Sequence, residues 1–408
     1  MSEVKEVPEI RFAGFTDDWK QRKVEELLIE RNEQTPMSEE YPLMAFIANE
    51  GVAPKGERYD RSSLVTDTEN KLYKRTEFGD FIYSSNNLET GSIGLNKYGK
   101  ACISPVYSIF QPTRIADSNF LGRRLVKKDF INSMIKWRQG VIYGQWRIHE
   151  SDFLKIEVPV PSVEEQRQIG TFLDCLDHLI ALHQRKHDKL VVLKKAMLEK
   201  MFPQNGSSVP EVRFAGFTGS WERRKVSELA DFSKGSGYSK GDLKENGTPI
   251  ILYGRLYTKY QFEIGEVDTF ADIKPGSVFS KGDEVIVPAS GETAEDIAIA
   301  AAVVKPGILL GGDLNILHPF GFMNPSFVAL SISNGQPQKE LARKAQGKSV
   351  VHVHNSDIQE VTICYPDREE QDKIVSVFSQ LDNLITLHQR KHESLKRVKA
   401  ALLQKMFV

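Results

Sequence analysis

The chain carries an internal repeat, and this repeat limits the folds that it can adopt. The segment PEIRFAGF at residues 8–15 returns as PEVRFAGF at residues 210–217, so the two copies begin 202 residues apart. A second match, without a gap, relates residues 164–202 to residues 369–407. Repeats of about 20–50 residues build solenoids, whereas a unit as long as this one can fold as a domain. The sequence therefore predicts two copies of one domain, each ending in the same kind of segment.

The stretches between the shared ends differ strongly. Residues 28–138 and 230–343 show almost no similarity in register, although they occupy the same place in the two copies. Both contain short apolar runs bounded by Gly, Asn, Asp or Pro, such as residues 81–83 and 285–287, and this pattern is typical of β-strands. We therefore expect domains of mixed helix and strand, in which a shared frame holds a variable part that carries the function.

The segment that closes each copy is predicted to be one long helix. Apolar or histidine residues recur at steps of three and four without an interrupting proline, and a helix of about 39 residues would be about 58 Å long. Because one such helix exposes an apolar stripe, we expect an antiparallel, coiled-coil-like pair around a pseudo-twofold axis, with one domain at each end. The predicted interface comprises Leu173, Leu176, Ile180, His183, His187 and Leu190 with Phe378, Leu381, Ile385, His388, His392 and Leu395, and the stripe continues to Leu193 and Val398.

Four of these interface residues are histidines at the middle of the predicted helices. Histidines four residues apart share a helix face, so the four could form a metal site or a pH-sensitive joint. Polar packing that fixes the register of the pair is the simpler interpretation, and we predict no metal site. The basic second half of each helix has three interpretations: a solvated face, a groove for a partner protein, or a surface along DNA phosphates.

Composition excludes several classes of protein. The chain is 40% hydrophobic and 27% charged, with a formal net charge of −1, which excludes a uniformly basic nucleic-acid binder but permits local basic surfaces. No apolar run approaches the roughly 18 residues of a membrane helix, and the first residues are polar, so we expect a cytoplasmic protein without a membrane partner. Three scattered cysteines, Cys102, Cys175 and Cys364, form neither a disulfide framework nor a zinc-binding pair.

Catalytic motifs are absent from the sequence. There is no phosphate-binding P-loop, no glycine fingerprint for a dinucleotide, and no H-E-x-x-H or G-x-S-x-G motif. The aromatic Asn-Pro-Pro loop of amino-methyltransferases is also missing. We therefore expect a protein that has no catalytic residues and no cofactor of its own.

Polar and aromatic side chains are concentrated in the loops of the variable parts and in a patch before each long helix. Arg or Lys reads guanine, Asn or Gln reads adenine, and Ser or Thr reads either base, so these loops suit base recognition as well as they suit ordinary surface turns. Both patches contain Gln-Gly, at 139–140 and 346–347, but differ downstream. The candidate contacts are Ser84, Asn86, Asn87, Thr90, Lys136, Arg138, Gln139, Tyr143, Gln145 and Arg147 in the first copy, and Tyr253, Arg255, Tyr257, Lys259, Ser290, Glu292, Thr293, Lys344, Gln346, Lys348, His352 and His354 in the second.

In these features the chain resembles the DNA specificity subunit of type I restriction-modification systems. The resemblance is carried by two R-F-x-x-F-x-x-x-W openings, at residues 11–19 and 213–221, and by the stretch 151–169 with its echo at 356–374. Each stretch contains a Ser-Asp pair, a proline and a Glu-Gln pair before an isoleucine. Cys364 and Tyr365 stand where the family usually has proline and a hydrophobic residue, which puts the geometry of one strand in question.

The resemblance implies a subunit that does no chemistry itself. Each variable domain would read one half of a bipartite, asymmetric site in double-stranded DNA, and the helix pair would set the spacer. Two modification subunits carrying S-adenosylmethionine would dock on this scaffold, and restriction subunits that use ATP and Mg would join them. The length of the helices suits half-sites separated by more than one turn of B-DNA, about 34–36 Å.

On this basis we predict an α+β chain of five parts. These are a target-recognition domain at 1–163, a long helix at 164–202, a linker at 203–209, a second target-recognition domain at 210–368 and a long helix at 369–408. A coiled-coil adaptor that binds proteins rather than DNA is the alternative, and it predicts no sequence-selective DNA binding. A self-sufficient methyltransferase or nuclease would be active as the purified chain, and the absence of catalytic motifs disfavours it.

Overall fold

The structure is a computed structural model, and it describes residues 7–54, 71–142, 145–204, 206–347 and 350–408. Two candidate contacts, Tyr143 and Lys348, lie outside these ranges, and for Gln145 only the backbone is described. The chain divides into two compact units, the first formed by residues 1–183 with 391–408 and the second by residues 184–390. Each unit therefore contains a part of both long helices, whereas the sequence predicted the helices as separate segments.

The first unit combines short strands with short helices and begins the first long helix. Its elements are β1 (Lys20–Lys23), α1 (Val24–Leu27), β2 (Leu28–Glu30), β3 (Gln34–Thr35), β4 (Ala45–Ile47), β5 (Gly51–Ala53), β6 (Tyr73–Thr76), β7 (Phe81–Tyr83), β8 (Ile93–Leu95), β9 (Ala101–Ile103), β10 (Ser108–Pro112), α2 (Ser118–Arg124), α3 (Lys128–Ile135), β11 (Gln139–Ile142), β12 (Gln145–Arg147), α4 (Glu150–Phe153), β13 (Glu157–Val160) and α5 (Val163–Lys200). The largest sheets have the orders β2-β10-β7-β8 and β3-β6-β9.

The second unit has the same plan with a larger central sheet. Its elements are β14 (Glu222–Lys225), β15 (Ala230–Lys234), β16 (Thr248–Ile251), α6 (Tyr253–Thr258), β17 (Glu263–Ile264), β18 (Phe270–Ala271), β19 (Glu284–Pro288), β20 (Ser290–Gly291), α7 (Ala294–Ile297), β21 (Ala301–Val303), β22 (Leu309–Leu310), β23 (Leu314–Pro319), α8 (Pro325–Ile332), α9 (Gly335–Lys344), β24 (Val351–His352), α10 (Asn355–Gln359), β25 (Thr362–Tyr365) and α11 (Arg368–Lys405). A sheet of order β15-β23-β19-β21-β17 forms its centre.

The shared ends of the two copies form the same strand pair in each unit. β1 pairs antiparallel with β13, from Lys20 opposite Val160 to Lys23 opposite Glu157. β14 pairs with β25 in the same way, and Glu222 lies opposite Tyr365. Cys364 and Tyr365 therefore keep the regular strand pairing, although the family usually has a proline and a hydrophobic residue at these positions.

The recurring arginine of each opening binds the recurring glutamate at the start of each long helix. Arg11 donates two hydrogen bonds to Glu165, at 2.7 and 2.8 Å, and the Glu165 side chain is 1% exposed. Arg213 binds Glu370 in the same two-pronged way, with both distances at 2.7 Å. Such buried pairs have directed geometry, so they fix the opening segment against the helix in both units.

The glutamine that follows each of these glutamates closes a loop onto the same helix. The Gln166 side chain accepts from the backbone N–H of Asp117 at 3.0 Å and donates to the carbonyl of Pro161 at 3.0 Å. Its counterpart Gln371 accepts from the N–H of Asn324 at 2.8 Å. The motifs that carry the family resemblance thus form the structural frame of each unit.

Each predicted long helix is a single helix of 38 residues, about 57 Å long. In the first unit Asp177 of α5 forms a salt bridge with Lys399 of α11. In the second unit the equivalent residues pair the other way round, with Lys194 of α5 bound to Asp382 of α11 at 2.6 Å. Within the first unit Nδ1 of His392 on α11 also lies 3.2 Å from the carbonyl of Ile180 on α5, so residue numbers fall along one helix as they rise along the other and the helices run antiparallel. The fold class that the sequence predicted is confirmed.

The predicted interface residues of the helices are buried to different degrees. Leu173 and Phe378 are fully buried, Leu176 and Leu381 are 8% exposed, and the remaining predicted interface residues are partly buried. The predicted continuation of the stripe is wrong at Leu193 and Val398, which are 47% and 46% exposed. The lysine one position later takes the inward place in each helix, as the Lys194 and Lys399 salt bridges show.

The last residues of each long helix pack into a globular core. In the second unit Phe202, after α5, contacts the rings of Trp221 and Phe327. In the first unit Phe407, after α11, contacts the rings of Trp19 and Phe120. The core of the first unit is therefore completed by residues that follow the whole second unit in the sequence.

Among the helices that the structure describes, none is long and apolar enough to cross a membrane.

Candidate nucleic-acid interface

In the first unit the two candidate segments lie side by side. One is the loop after β7, residues 84–92, and the other is the hairpin of β11 and β12. The Ser85 hydroxyl accepts a hydrogen bond from the backbone N–H of Ile148 at 3.1 Å. Arg138 donates two hydrogen bonds to Glu89 in the loop, at 3.0 and 2.7 Å. The loop and the hairpin thus form one continuous surface.

In the second unit the equivalent segments are joined through their backbones. β20 pairs antiparallel with β24, which places Ser290 opposite His352. The Ser290 hydroxyl lies 3.1 Å from Nδ1 of His352. Thr293 lies in the loop after β20 and caps α7 by accepting a hydrogen bond from the N–H of Asp296 at 3.1 Å. Candidate residues that are about 60 positions apart in the sequence therefore meet at this point.

The patch before each long helix folds into a hairpin in both units. Gln139 lies opposite Arg147 in the pair of β11 and β12. Gln346 lies opposite His352, and their backbones exchange hydrogen bonds of 3.1 and 2.8 Å. The residue after Arg147 or His352 is buried, and the residue after that precedes a short helix, α4 or α10. The two patches that the sequence placed in equivalent positions are therefore structural equivalents with different side chains.

Four of the candidate residues are largely buried or already paired within their unit, and their DNA contacts stay predictions. Ser84 and Ser290 are 6% and 7% exposed, so their hydroxyls are withdrawn from the surface. The guanidinium of Arg138 is held by Glu89, and that of Arg255 binds Asp268 at 2.6 Å. Both guanidinium side chains are 11% exposed, so neither is a free donor for a base.

Hydrogen bonds from the cluster around Arg255 hold a neighbouring loop in place. Hydrogen bonds from Lys259 and Arg255 lower the pKa of Asp268 to about 2. Arg255 also donates to the carbonyl of Glu266 at 3.3 Å. Nearby, the ring of Tyr253 lies 6.2 Å from the ring of Tyr257. Burial raises the pKa of Tyr257, and the neighbouring Tyr253 and Glu292 add to this effect.

The remaining candidates differ in their exposure to solvent. The exposed ones are Asn87, Thr90, Lys136, Gln139, Arg147, Lys259, Glu292, Thr293, Gln346, His352 and His354, and the partly buried ones are Asn86, Tyr253, Tyr257 and Lys344. Several exposed side chains are already hydrogen-bonded within the unit. Gln139 donates to Asp152 at 3.1 Å, and the Thr90 hydroxyl donates to the carbonyl of Asn87 at 3.1 Å. The proposed DNA contacts of all these residues stay predictions.

Two tryptophans of the patch before the first long helix were missing from the predicted contacts. Trp137 is 40% exposed and Trp146 is 45% exposed, whereas Trp19 and Trp221 are buried. The Arg138 guanidinium lies 5.9 Å from the Trp146 ring. The signal in the sequence was the presence of two tryptophans in a basic segment, because aromatic side chains beside basic ones are typical of surfaces that bind nucleic acids.

The central histidines do not form a metal centre in the part of the chain that the structure describes. No group of three or more His, Cys, Asp or Glu side chains there could hold a metal ion. His392 places Nδ1 3.2 Å from the carbonyl of Ile180, a contact between the two helices within the first unit. This contact agrees with the interpretation that a polar residue on the stripe fixes the register of the pair.

Comparisons with known proteins identify the family. The model of the type I restriction modification DNA specificity domain matches residues 16–191 and 322–397, which is more than half of the chain. The chain belongs to this family. As a member it is a non-catalytic DNA specificity subunit, as its sequence predicted.

Individual relatives are distant in sequence. The MjaVIII specificity subunit of Methanocaldococcus jannaschii is 23% identical over 336 residues, covering 79% of this chain and 77% of that protein. The putative MjaX specificity subunit of the same organism is 23% identical over 270 residues, covering 64% and 60%. A solved S subunit of a type I restriction-modification system from M. genitalium is 14% identical, with a TM-score of 0.56 over 98% of this chain and 99% of that one. This last similarity supports the fold.

Proposed function

We propose that each unit of this specificity subunit reads one half of a bipartite, asymmetric site in double-stranded DNA. The observation that carries the proposal is the contrast within the repeat. Equivalent contacts hold the frame in both units, as in the Arg11–Glu165 and Arg213–Glu370 pairs. The loops and hairpins attached to the frame carry different side chains. Two similar frames that present different surfaces suit two domains that recognise different DNA sequences.

The long helices have two tasks in this proposal. They set the spacer between the half-sites, and they dock two modification subunits, which restriction subunits then join. The repeated antiparallel contacts, Asp177 with Lys399 and Asp382 with Lys194, support a helix pair that offers the same surface twice. S-adenosylmethionine, ATP and Mg would be bound by the partner subunits, and this chain would bind none of them.

Domain replacement tests the assignment of half-sites. The complex of this chain with its modification subunits is first used to methylate DNA, and the modified adenines are mapped to give the site. Residues 24–156, which lie between β1 and β13, are then replaced by the matching segment of another specificity subunit. We expect one half of the site to change and the other half and the spacer to stay.

The reciprocal replacement of residues 226–361, between β14 and β25, serves as the matched control and should change the other half only. A protein adaptor without DNA recognition would assemble with the same partners but show no preferred site. That result, or a change of both halves by one replacement, would contradict the proposal.

A further inference from the structure

The hairpin before each long helix is joined by hydrogen bonds to buried residues of its unit. In the first unit, β7 beneath the hairpin is fully buried, and the Tyr83 hydroxyl donates to the carbonyl of Ile148 at 3.5 Å. In the second unit, the buried Asn315 side chain donates to the carbonyl of Val353 at 2.9 Å. The N–H of Val353 donates to the carbonyl of Ala289 at 3.1 Å. A reading element needs such support, because base recognition tolerates little positional error.

The two hairpins carry unlike donors at the position opposite the shared glutamine. In the first unit this position is Arg147, which is exposed and forms no salt bridge with any residue in the described ranges. Arg138 and Arg255, by contrast, are both held by carboxylates. Within the described ranges Arg147 is therefore the candidate arginine that no carboxylate holds, and its guanidinium can bind guanine through two hydrogen bonds.

His352 holds the equivalent position in the second unit. Its ring is exposed and is oriented by the contact of Nδ1 with the Ser290 hydroxyl, which leaves Nε2 for a ligand. A histidine can form one hydrogen bond to a base edge through that nitrogen, whereas an arginine can form two. The same place in the two units thus provides different recognition chemistry.

The first hairpin also presents an exposed aromatic ring, whereas the second presents the aliphatic Val350, which is 50% exposed. Trp146, one residue before Arg147, is 45% exposed, and Val351 precedes His352. An exposed aromatic ring beside a base-reading arginine can contact the methyl group of thymine. This difference suits a half-site in which a guanine lies next to a thymine.

We infer that the hairpin before each long helix is the main specificity-determining element of its unit, with Arg147 reading the first half-site and His352 the second. This inference rests on the proposed function, since it names the residues that perform the recognition. The first half-site contains a guanine contacted by Arg147, and the second contains a base edge contacted by Nε2 of His352.

The test measures discrimination within each half-site. Complexes of the partner subunits with the wild-type chain, Arg147→Ala, Arg147→Lys or His352→Ala are assayed on the mapped site and on every single-base variant of it. Arg147→Ala should lower the preference for one guanine of the first half-site by about tenfold and leave the second half-site unchanged. His352→Ala should relax one position of the second half-site only.

Arg147→Lys separates base reading from phosphate binding. Lysine keeps the charge but lacks the planar, pre-organised fork of the guanidinium, so a base reader shows a weaker preference for guanine while binding to random DNA stays the same. Arg114→Ala, which removes another exposed arginine of the first unit in the loop before α2, is the matched control and should keep full discrimination. Assembly of each complex with the partner subunits is measured to show that the variants fold.

Three results would overturn the inference. The first is unchanged discrimination in Arg147→Ala and His352→Ala, which would leave the proposed function intact. The second is an equal loss of affinity for all DNA sequences, which would mean that these residues bind phosphates. The third is a wild-type complex without any preferred site, which would remove the proposed function as well.

Discussion

At the scale of residues, the motifs that identify the family are structural. Arg11, Glu165 and Gln166 recur at equivalent places because they join the opening segment, a loop and the long helix. The sequence predicted their recurrence but not their contacts, since partners 154 positions apart cannot be inferred from one chain. The same limit applies to Arg138 and Arg255, because the sequence could not show that Glu89 and Asp268 bind their guanidinium groups.

The Arg11–Glu165 pair provides a prediction at this scale. Arg11→Ala leaves the Glu165 carboxylate, whose side chain is 1% exposed, without its counter-charge. We expect a loss of about 3–5 kcal/mol in the free energy of unfolding of the first unit. Urea unfolding followed by circular dichroism measures this loss.

The surface pair of Arg22 and Glu26 gives the matched control, because its side chains are 35% and 42% exposed. Arg22→Ala should cost less than about 1 kcal/mol. Equal effects of the two substitutions would show that the buried pair does not support the frame.

At the scale of elements, the long helices were the most predictable part of the fold. A repeated apolar period and the absence of proline fixed their existence, their length and their pairing. The error at Leu193 and Val398 came from following the apolar side chains through two successive steps of three. The regular alternation of four and three continues from Leu190 to Lys194 and from Leu395 to Lys399, and these lysines take the inward place. The hairpins were not predicted, because the sequence marked them only as polar patches.

Leu176 tests the packing of the helices. Its side chain is 8% exposed and belongs to the core of the first unit, against which Leu395 and Leu402 of α11 also pack. Leu176→Asp buries an unpaired charge, so we expect a loss of several kcal/mol in stability and a failure to assemble with the modification subunits. Size-exclusion chromatography of the mixed subunits measures assembly.

Leu193→Asp is the control on the same helix, since Leu193 is 47% exposed. It should change the free energy of unfolding by less than about 0.5 kcal/mol. If Leu176→Asp unfolds the chain no more readily than Leu193→Asp, the inward face of α5 has been misassigned.

At the scale of the whole molecule, the two units are not consecutive pieces of the chain. Residues 391–408 belong to the first unit, although they follow the second unit in the sequence. The repeat predicted two domains, but it could not show that each long helix ends in the core of the other copy's unit. That arrangement depends on contacts such as Phe407 with Trp19 and Phe202 with Trp221, which no local pattern encodes.

Phe407→Ala tests this closure of the first unit. The side chain is 4% exposed and packs on Phe120 at 5.3 Å, so its removal should cost about 3–5 kcal/mol and affect the first unit only. Hydrogen exchange of backbone amides, read separately for the two units, locates the loss. Phe202→Ala is the matched variant and should weaken the second unit instead. Equal loosening of both units by either substitution would contradict the assignment.

The placement of Phe407 also constrains how the protein is made. While the ribosome is still synthesising residues 210–390, the pocket around Trp19 and Phe120 has no occupant from α11, and its apolar surface faces water. The first unit therefore waits for the second to emerge before it can reach its full stability. A chain interrupted before α11 would lack the residues that close this core, so its first unit would be less stable and more open to proteases.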